Sequence, residues 1–183
     1  QMVGEFPELQ GIMGAKYLLA EGESREVALA VLEHYLPRSS GDSLPNSDPG
    51  AILALSERLE LLLSIFAKGE RPSGSSDPYA LRRAGNGILQ ILWAKNWNLD
   101  LNKILNISID YWSRSLPKLN VESPILFNDL SEFFRQRIIS LLEESNIDVD
   151  IVQAVSGETV PIERLLFDPT DAQLRATLLV NMR

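Results

Sequence analysis

Four short signals punctuate this sequence: Asp48-Pro49, Asp77-Pro78, Ser123-Pro124 and Asp168-Pro169. Each joins a side chain that accepts hydrogen bonds from the free N–H groups of a first helical turn to a proline. The proline's fixed φ suits that turn, and its missing N–H costs nothing there. After each signal, apolar residues recur at spacings of three and four. No segment alternates apolar and polar residues over the length of a strand between hairpin turns. The nearest approach, Ile107–Ile109, is flanked by helical pattern on both sides. The expected fold class is therefore all-α.

Asp77–Trp97 is the most sharply bounded stretch. Asp77 is expected to cap it and Pro78 to occupy its first position. Leu81, Ala84, Ile88, Ile91 and Leu92 form the predicted core face, widened by Leu89 and Trp93. Gly85 and Gly87 should each cost about 1 kcal/mol relative to Ala inside a helix, so a close neighbour is expected there. The helices begun at Pro49 and Leu99 are expected to pack on this one. Arg82, Arg83, Asn86 and Gln90 fall on the remaining polar stripe.

Elsewhere, helices are predicted over Glu8–Glu21, from Ser24 to about Leu36, over Pro49–Lys68, Leu99–Leu116 and Ser123–Ser145, and in shorter pieces after Asp148, Pro161 and Pro169. Val27, Leu29, Val31, Leu32 and Tyr35 are expected inside, as are Ile52, Leu55, Leu59, Leu62, Leu63 and Phe66. Further along, Ile104, Leu105, Ile107, Ile109, Trp112 and the Leu126–Leu141 series of the Ser123 helix complete the predicted core. Apolar residues at both ends, Met2, Val3 and Phe6 at one and Leu178, Leu179, Val180 and Met182 at the other, suggest a piece of a larger chain.

The chain carries a net charge of −8, which taken whole repels phosphate backbones. The charge is uneven: between Asp77 and Lys118 six basic residues face three acidic ones. That permits a local nucleic-acid contact, or describes ordinary solvated helix faces. No Cys is present, which removes disulfides and thiolate chemistry. No apolar run approaches the ~20 residues of a membrane helix, and no leader pattern is visible.

Catalytic chemistry is thinly represented. His34 is the one histidine, and no second imidazole or thiolate exists to build a metal site or triad around it. Glu57 and Glu60 share a helix face, but Arg58 lies between them and the neighbourhood reads as an exposed stripe. Arg82 and Arg83 are the strongest binding candidates, because guanidinium groups grip phosphate bidentately. The alternative is a salt bridge to a carboxylate such as Glu57 or Glu60.

Three pieces resemble one family: EFPELQGIMG at Glu5–Gly14, HYLPRSSGDSLP at His34–Pro45 and PSGSSDPYALRRAGNGILQILW at Pro72–Trp93. Their order and spacing are similar to the beta subunit of the bacterial-type, two-subunit glycyl-tRNA synthetase. The likeness is strong through Trp97 and looser to about Val155, and Ser156–Arg183 rests on periodicity alone. It implies an N-terminally truncated HD-like helical domain over 1–118 and a smaller helical region over 119–183.

The resemblance further implies a cytoplasmic ligase. Its separate catalytic alpha subunit would use ATP and Mg to join glycine to tRNA(Gly) in an α2β2 assembly. A region like this one would grip tRNA without a catalytic centre, metal or cofactor of its own, with Arg82, Arg83, Asn86 and Gln90 as the tRNA-facing residues. HD-type phosphohydrolases use a His-Asp pair, whereas His34 here precedes Tyr35. Where the family has ALADKLD, Ala54–Glu60 reads ALSERLE. A metal-dependent phosphohydrolase and a purely structural or subunit-docking module are the competing readings.

Overall fold

A computed structural model of the chain describes residues 5–115 and 122–182. A 3-10 turn over Pro7–Leu9 leads into α1 (Ile12–Ala20), α2 (Arg25–Glu33) and α3 (Asp48–Ala67). Then come α4 (Leu81–Lys95), α5 (Leu101–Ser115) and α6 (Ser123–Glu144), followed by α7 (Val149–Ser156), α8 (Ile162–Phe167) and α9 (Pro169–Asn181). Among the described residues no strand forms, and the class is all-α. The chain packs as two units, Gln1–Glu60 and Leu61–Arg183, divided within α3. The domain boundary expected between 118 and 119 lies outside the described residues, as does Leu116, the expected end of α5.

Proline opens the helix at three of the four signals, α3, α6 and α9, whereas Pro78, expected at the first position of α4, lies in the turn before it. Side-chain caps form at Asp168, at Ser47 in place of Asp48, and at Asp77, but not at α6. At Asp168 the side chain accepts from Thr170 N at 3.0 Å, as expected. At α3 the cap is Ser47, whose Oγ accepts from Gly50 N at 3.1 Å, and Asp48 is already helical. At α6 the N-cap is Glu122, and Ser123 lies inside the helix. Asp77 is displaced furthest. Ala80, in the left-handed region at φ 55°, is the N-cap of α4. A turn closed by Ala80 N onto Asp77 O at 3.0 Å folds the Asp77 carboxylate back over the helix end. There its two oxygens accept from Leu81 N at 2.8 Å and Arg82 N at 3.0 Å. Two free donors are satisfied by one carboxylate from outside the helix.

In the first unit, α1 and α2 meet at glycines. A Cβ on Gly11, at φ +80°, would lie 2.6 Å from Leu32 O, and one on Gly14 would lie 3.1 Å from Val31 Cγ1. The inner face of α2 carries Ala28, Ala30 and Glu33, while Val27, Leu29 and Leu32 are exposed, contrary to expectation. A buried carboxylate needs partners. Glu33 finds them at the start of α3, where its Oε2 accepts from Ser47 N at 2.9 Å and from Ser47 Oγ. Holding Glu33 inward turns the large apolar residues of α2 outward.

Arg58 corrects a second expectation. It is 8% exposed, not part of a solvated stripe, and Ile52, expected inside, is 56% exposed. The Arg58 guanidinium donates to the carbonyls of His34, Tyr35, Leu36 and Pro37 at 2.8 to 3.2 Å, and to Ala54 O at 3.0 Å. Those carbonyls lie at and just past the end of α2, where a helix leaves acceptors unpaired and a cation is favoured.

In the second unit α6 is central and packs against α4, α5, α7, α8 and α9. Leu126, Leu130, Phe133, Phe134, Ile138 and Leu141 are all buried, as the spacing predicts. Ile107 on α5 is exposed instead, while Leu101 is buried. The α4 face packs chiefly on α6 and α9 rather than on α5. Trp93 Nε1 donates to Pro169 O at 2.9 Å and pins the start of α9. Arg135 repeats the Arg58 device: its guanidinium donates to Ser156 O, Gly157 O and Val160 O, closing the end of α7.

Gly85 is where α6 touches α4. A Cβ there would meet Phe133 Cε1 at 2.7 Å and Arg137 Cγ at 3.0 Å. Gly85→Ala gains about 1 kcal/mol of helix propensity. It loses about 1–3 kcal/mol to overpacking, because a buried ring has little room to yield. A net lowering of the urea midpoint is expected, and a raised midpoint would show that the contact relaxes freely. Arg58→Met strands the carbonyls after α2 and should lower stability by about 1–3 kcal/mol. Calorimetry of the two proteins measures it, with an unchanged melting temperature as the contrary result.

Candidate nucleic-acid interface

The four stripe residues of α4 differ in exposure. Arg83 is exposed, while Arg82, Asn86 and Gln90 are half-buried. The side-chain oxygen of Asn86 is buried without a hydrogen-bond partner among the described residues. Arg82 lines a cleft of about 440 Å³. Asp129, Glu132, Phe133, Gln136 and Arg137 form its α6 wall, one helical face at spacings of three and four. Phe66, Arg71 and Pro72 complete it.

The charges in this cleft are not equivalent. Arg71 is fully engaged: Nε and Nη2 donate to Asp129 Oδ2 at 2.9 and 2.6 Å, and Nη1 donates to Phe66 O and Glu70 O at 2.6 and 2.8 Å. Its guanidinium also lies 4.3 Å from the Phe66 ring centroid. Asp129 is thereby neutralised. Glu132 accepts from Arg135 Nε at 3.2 Å and from Gln136 Nε2 at 3.0 Å. The acidic members of the wall are spoken for.

Arg82 and Arg137 remain. Among the described residues of this unit neither guanidinium makes an ion pair, and Arg137 Nε is buried without a hydrogen-bond partner. Arg137 rests its guanidinium 5.8 Å from the Phe133 ring centroid. Its pKa is lowered, first by burial and then by the charge of Arg82, with Glu144 and Asp77 acting the other way. Guanidinium nevertheless stays protonated throughout the physiological range. Two like charges, one of them half-desolvated, therefore face a common cleft.

The other candidates are placed as follows. His34 is half-buried, with Nδ1 2.7 Å from Val31 O and Nε2 3.7 Å from Glu57 Oε2. Among the described residues no three His, Cys, Asp or Glu side chains are placed to hold a metal ion. No helix among them is long and apolar enough to cross a membrane. Arg137 was not a candidate from sequence. The signals for it were Gly85, which demanded a close neighbour, and the Phe133–Arg137 spacing that lays an arginine beside a buried ring.

Removing the charge of Arg137 while keeping its stem relieves the like-charge contact. Arg137→Met is expected to raise the melting temperature by about 1–3 °C, since about 1 kcal/mol corresponds to ~2–4 °C in a domain of this size and solvent screens part of the gain. Thermal denaturation tests this. A lower melting temperature would mean that the guanidinium is held by the fold.

The model of a protein family described as glycyl-tRNA synthetase beta subunit matches residues 1–157. The glycine--tRNA ligase beta subunit of Acaryochloris marina is 46% identical over 185 residues, covering 100% of this chain and 25% of that protein. That of Trichodesmium erythraeum is 47% identical over 186 residues, covering 100% of this chain and 26% of its own length. That of Streptococcus gordonii is 46% identical over 158 residues, 86% of this chain and 22% of that protein. The chain thus spans about a quarter of the length of these curated relatives.

Proposed function

The chain belongs to the glycyl-tRNA synthetase beta subunit family, and we propose that it is a tRNA-facing helical segment of an enzyme that joins glycine to tRNA(Gly). In this reading the segment has no catalytic centre. A separate alpha subunit in an α2β2 assembly activates glycine with ATP and Mg and transfers it. The segment contributes grip on the RNA, with Arg82, Arg83, Asn86 and Gln90 on the side turned to it.

The observation that supports this reading is the unneutralised Arg82 on a chain of net charge −8. An acidic protein repels RNA at a distance, so a basic face has to be concentrated. The stretch around α4 carries that excess. Contacts of this kind position the RNA and weaken with salt, and they carry no sequence information of their own.

In the complete two-subunit enzyme, Arg82→Ala combined with Arg83→Ala should raise KM for tRNA on the order of tenfold, the worth of a charge-assisted hydrogen bond or two. Glycine-dependent pyrophosphate exchange should be unchanged, because activation occurs on the other subunit. An unchanged KM for tRNA would remove the RNA-facing role from this stripe.

A further inference from the structure

We propose that the cleft between α4 and α6 is a phosphate site in which Arg82 and Arg137 together hold one backbone phosphate of the RNA, with the Phe133 ring as its apolar wall; this rests on the tRNA-facing reading above. Arg137 is the new member, since only Arg82 lies on the polar stripe of α4.

Construction of the site starts at Gly85. Without a Cβ there, the Arg137 stem lies across the α4 backbone, 3.0 Å from where that atom would sit. This brings the Arg137 head to the same cleft as Arg82, which lies one turn before Gly85 on α4. The guanidinium lies 5.8 Å from the Phe133 ring centroid, and Arg137 as a whole is half-buried. One donor of that head, Nε, is buried and unpaired. Buried donors are nearly always satisfied, so an orphan here points to a missing acceptor.

The charge balance points the same way. Asp129 is committed to Arg71, Glu132 to Arg135 and Gln136, and Asp77 to two backbone N–H groups. Glu144 and Asp77 act on Arg137 from a distance, yet burial and Arg82 together outweigh them. An anion between the two guanidiniums removes their repulsion and fills the vacant donor. A carboxylate is planar and pairs well with one arginine fork. Two forks from two helices match a tetrahedral phosphate with several acceptor oxygens better. A volume of about 440 Å³ lies within the ~300–1,000 Å³ of small-ligand sites.

The test uses the complete two-subunit enzyme and compares wild type with Arg82→Met, Arg137→Met and the double variant. Each single change should raise KM for tRNA about tenfold. The double should add less than a further twofold, because both arginines serve the same phosphate. The dependence of log KM on log salt should fall in the double by about 0.7–0.9, one phosphate's worth. Arg137→Lys, which keeps stem and charge but loses the fork, should fall between wild type and Arg137→Met, and melting temperatures establish that every variant is folded.

If Arg82→Met raises KM and Arg137→Met leaves both KM and salt slope unchanged, the phosphate site is overturned while the tRNA-facing role stands. If neither moves KM, both fall. Multiplicative effects in the double overturn the shared phosphate. If inorganic phosphate raises the melting temperature of wild type but not of Arg137→Met, with KM for tRNA unaffected, the occupant is free phosphate and the RNA assignment is overturned. Weakened alpha-subunit association with unchanged KM would mark a carboxylate-bearing protein as the occupant instead.

Discussion

The distance at which α6 crosses α4 governs the larger unit. Gly85 permits that crossing by leaving no side chain under Phe133 and Arg137. Phe133 and Phe134 of α6 then reach the core. Phe133 lies edge-on to Phe66 with centroids 5.2 Å apart, and Phe134 is completely buried. Such edge-to-face pairs add roughly 0.5–1.5 kcal/mol to the burial itself. The same crossing decides where the charges go, because Arg137 leaves the core on the side where Arg82 emerges. Packing and electrostatics here have a single cause.

Arginine is used in two distinct ways in this chain. Arg58 and Arg135 are buried, and their donors are spent on the carbonyls that end a preceding or following helix. These side chains hold a helix end in place, and nothing is left over for a ligand. Arg71 is spent in the same manner on Asp129 and two carbonyls. Arg82 and Arg137 differ because both line a cleft, and Arg137 is influenced first by its own burial and then by the charge of Arg82. That contrast, rather than the number of basic residues, is what the proposed phosphate site rests on.

The all-α class and nearly every helix were legible from periodicity and from proline-marked starts, since burial of an apolar stripe is a local property of the sequence. Every residue predicted for the α6 core is buried for the same reason, while Leu142, also buried, was missed. Capping was less legible. Asp77 keeps its role, but through a turn that moves the helix start to Leu81, and Ser47 outcompetes Asp48 because its hydroxyl also serves Glu33. The orientation of α2 was opaque, since it follows from a buried Glu33 whose partners lie 14 residues on. Arg58 read as part of an exposed stripe because the carbonyls it closes lie more than twenty residues away in sequence, and Arg135 was not singled out. For the candidate site, Arg82 and the need for a neighbour at Gly85 were visible, whereas Arg137 required the α4–α6 pairing.

If this face belongs to an RNA-binding enzyme, contact can be mapped directly. The decisive measurement is photo-crosslinking of tRNA to the complete two-subunit enzyme, with crosslinked peptides identified residue by residue. Crosslinks in the α4 and α6 peptides that carry Arg82 and Arg137 are the predicted result. Crosslinks elsewhere on the beta subunit, with none in residues 1–183, would contradict the account and leave this segment a packing module.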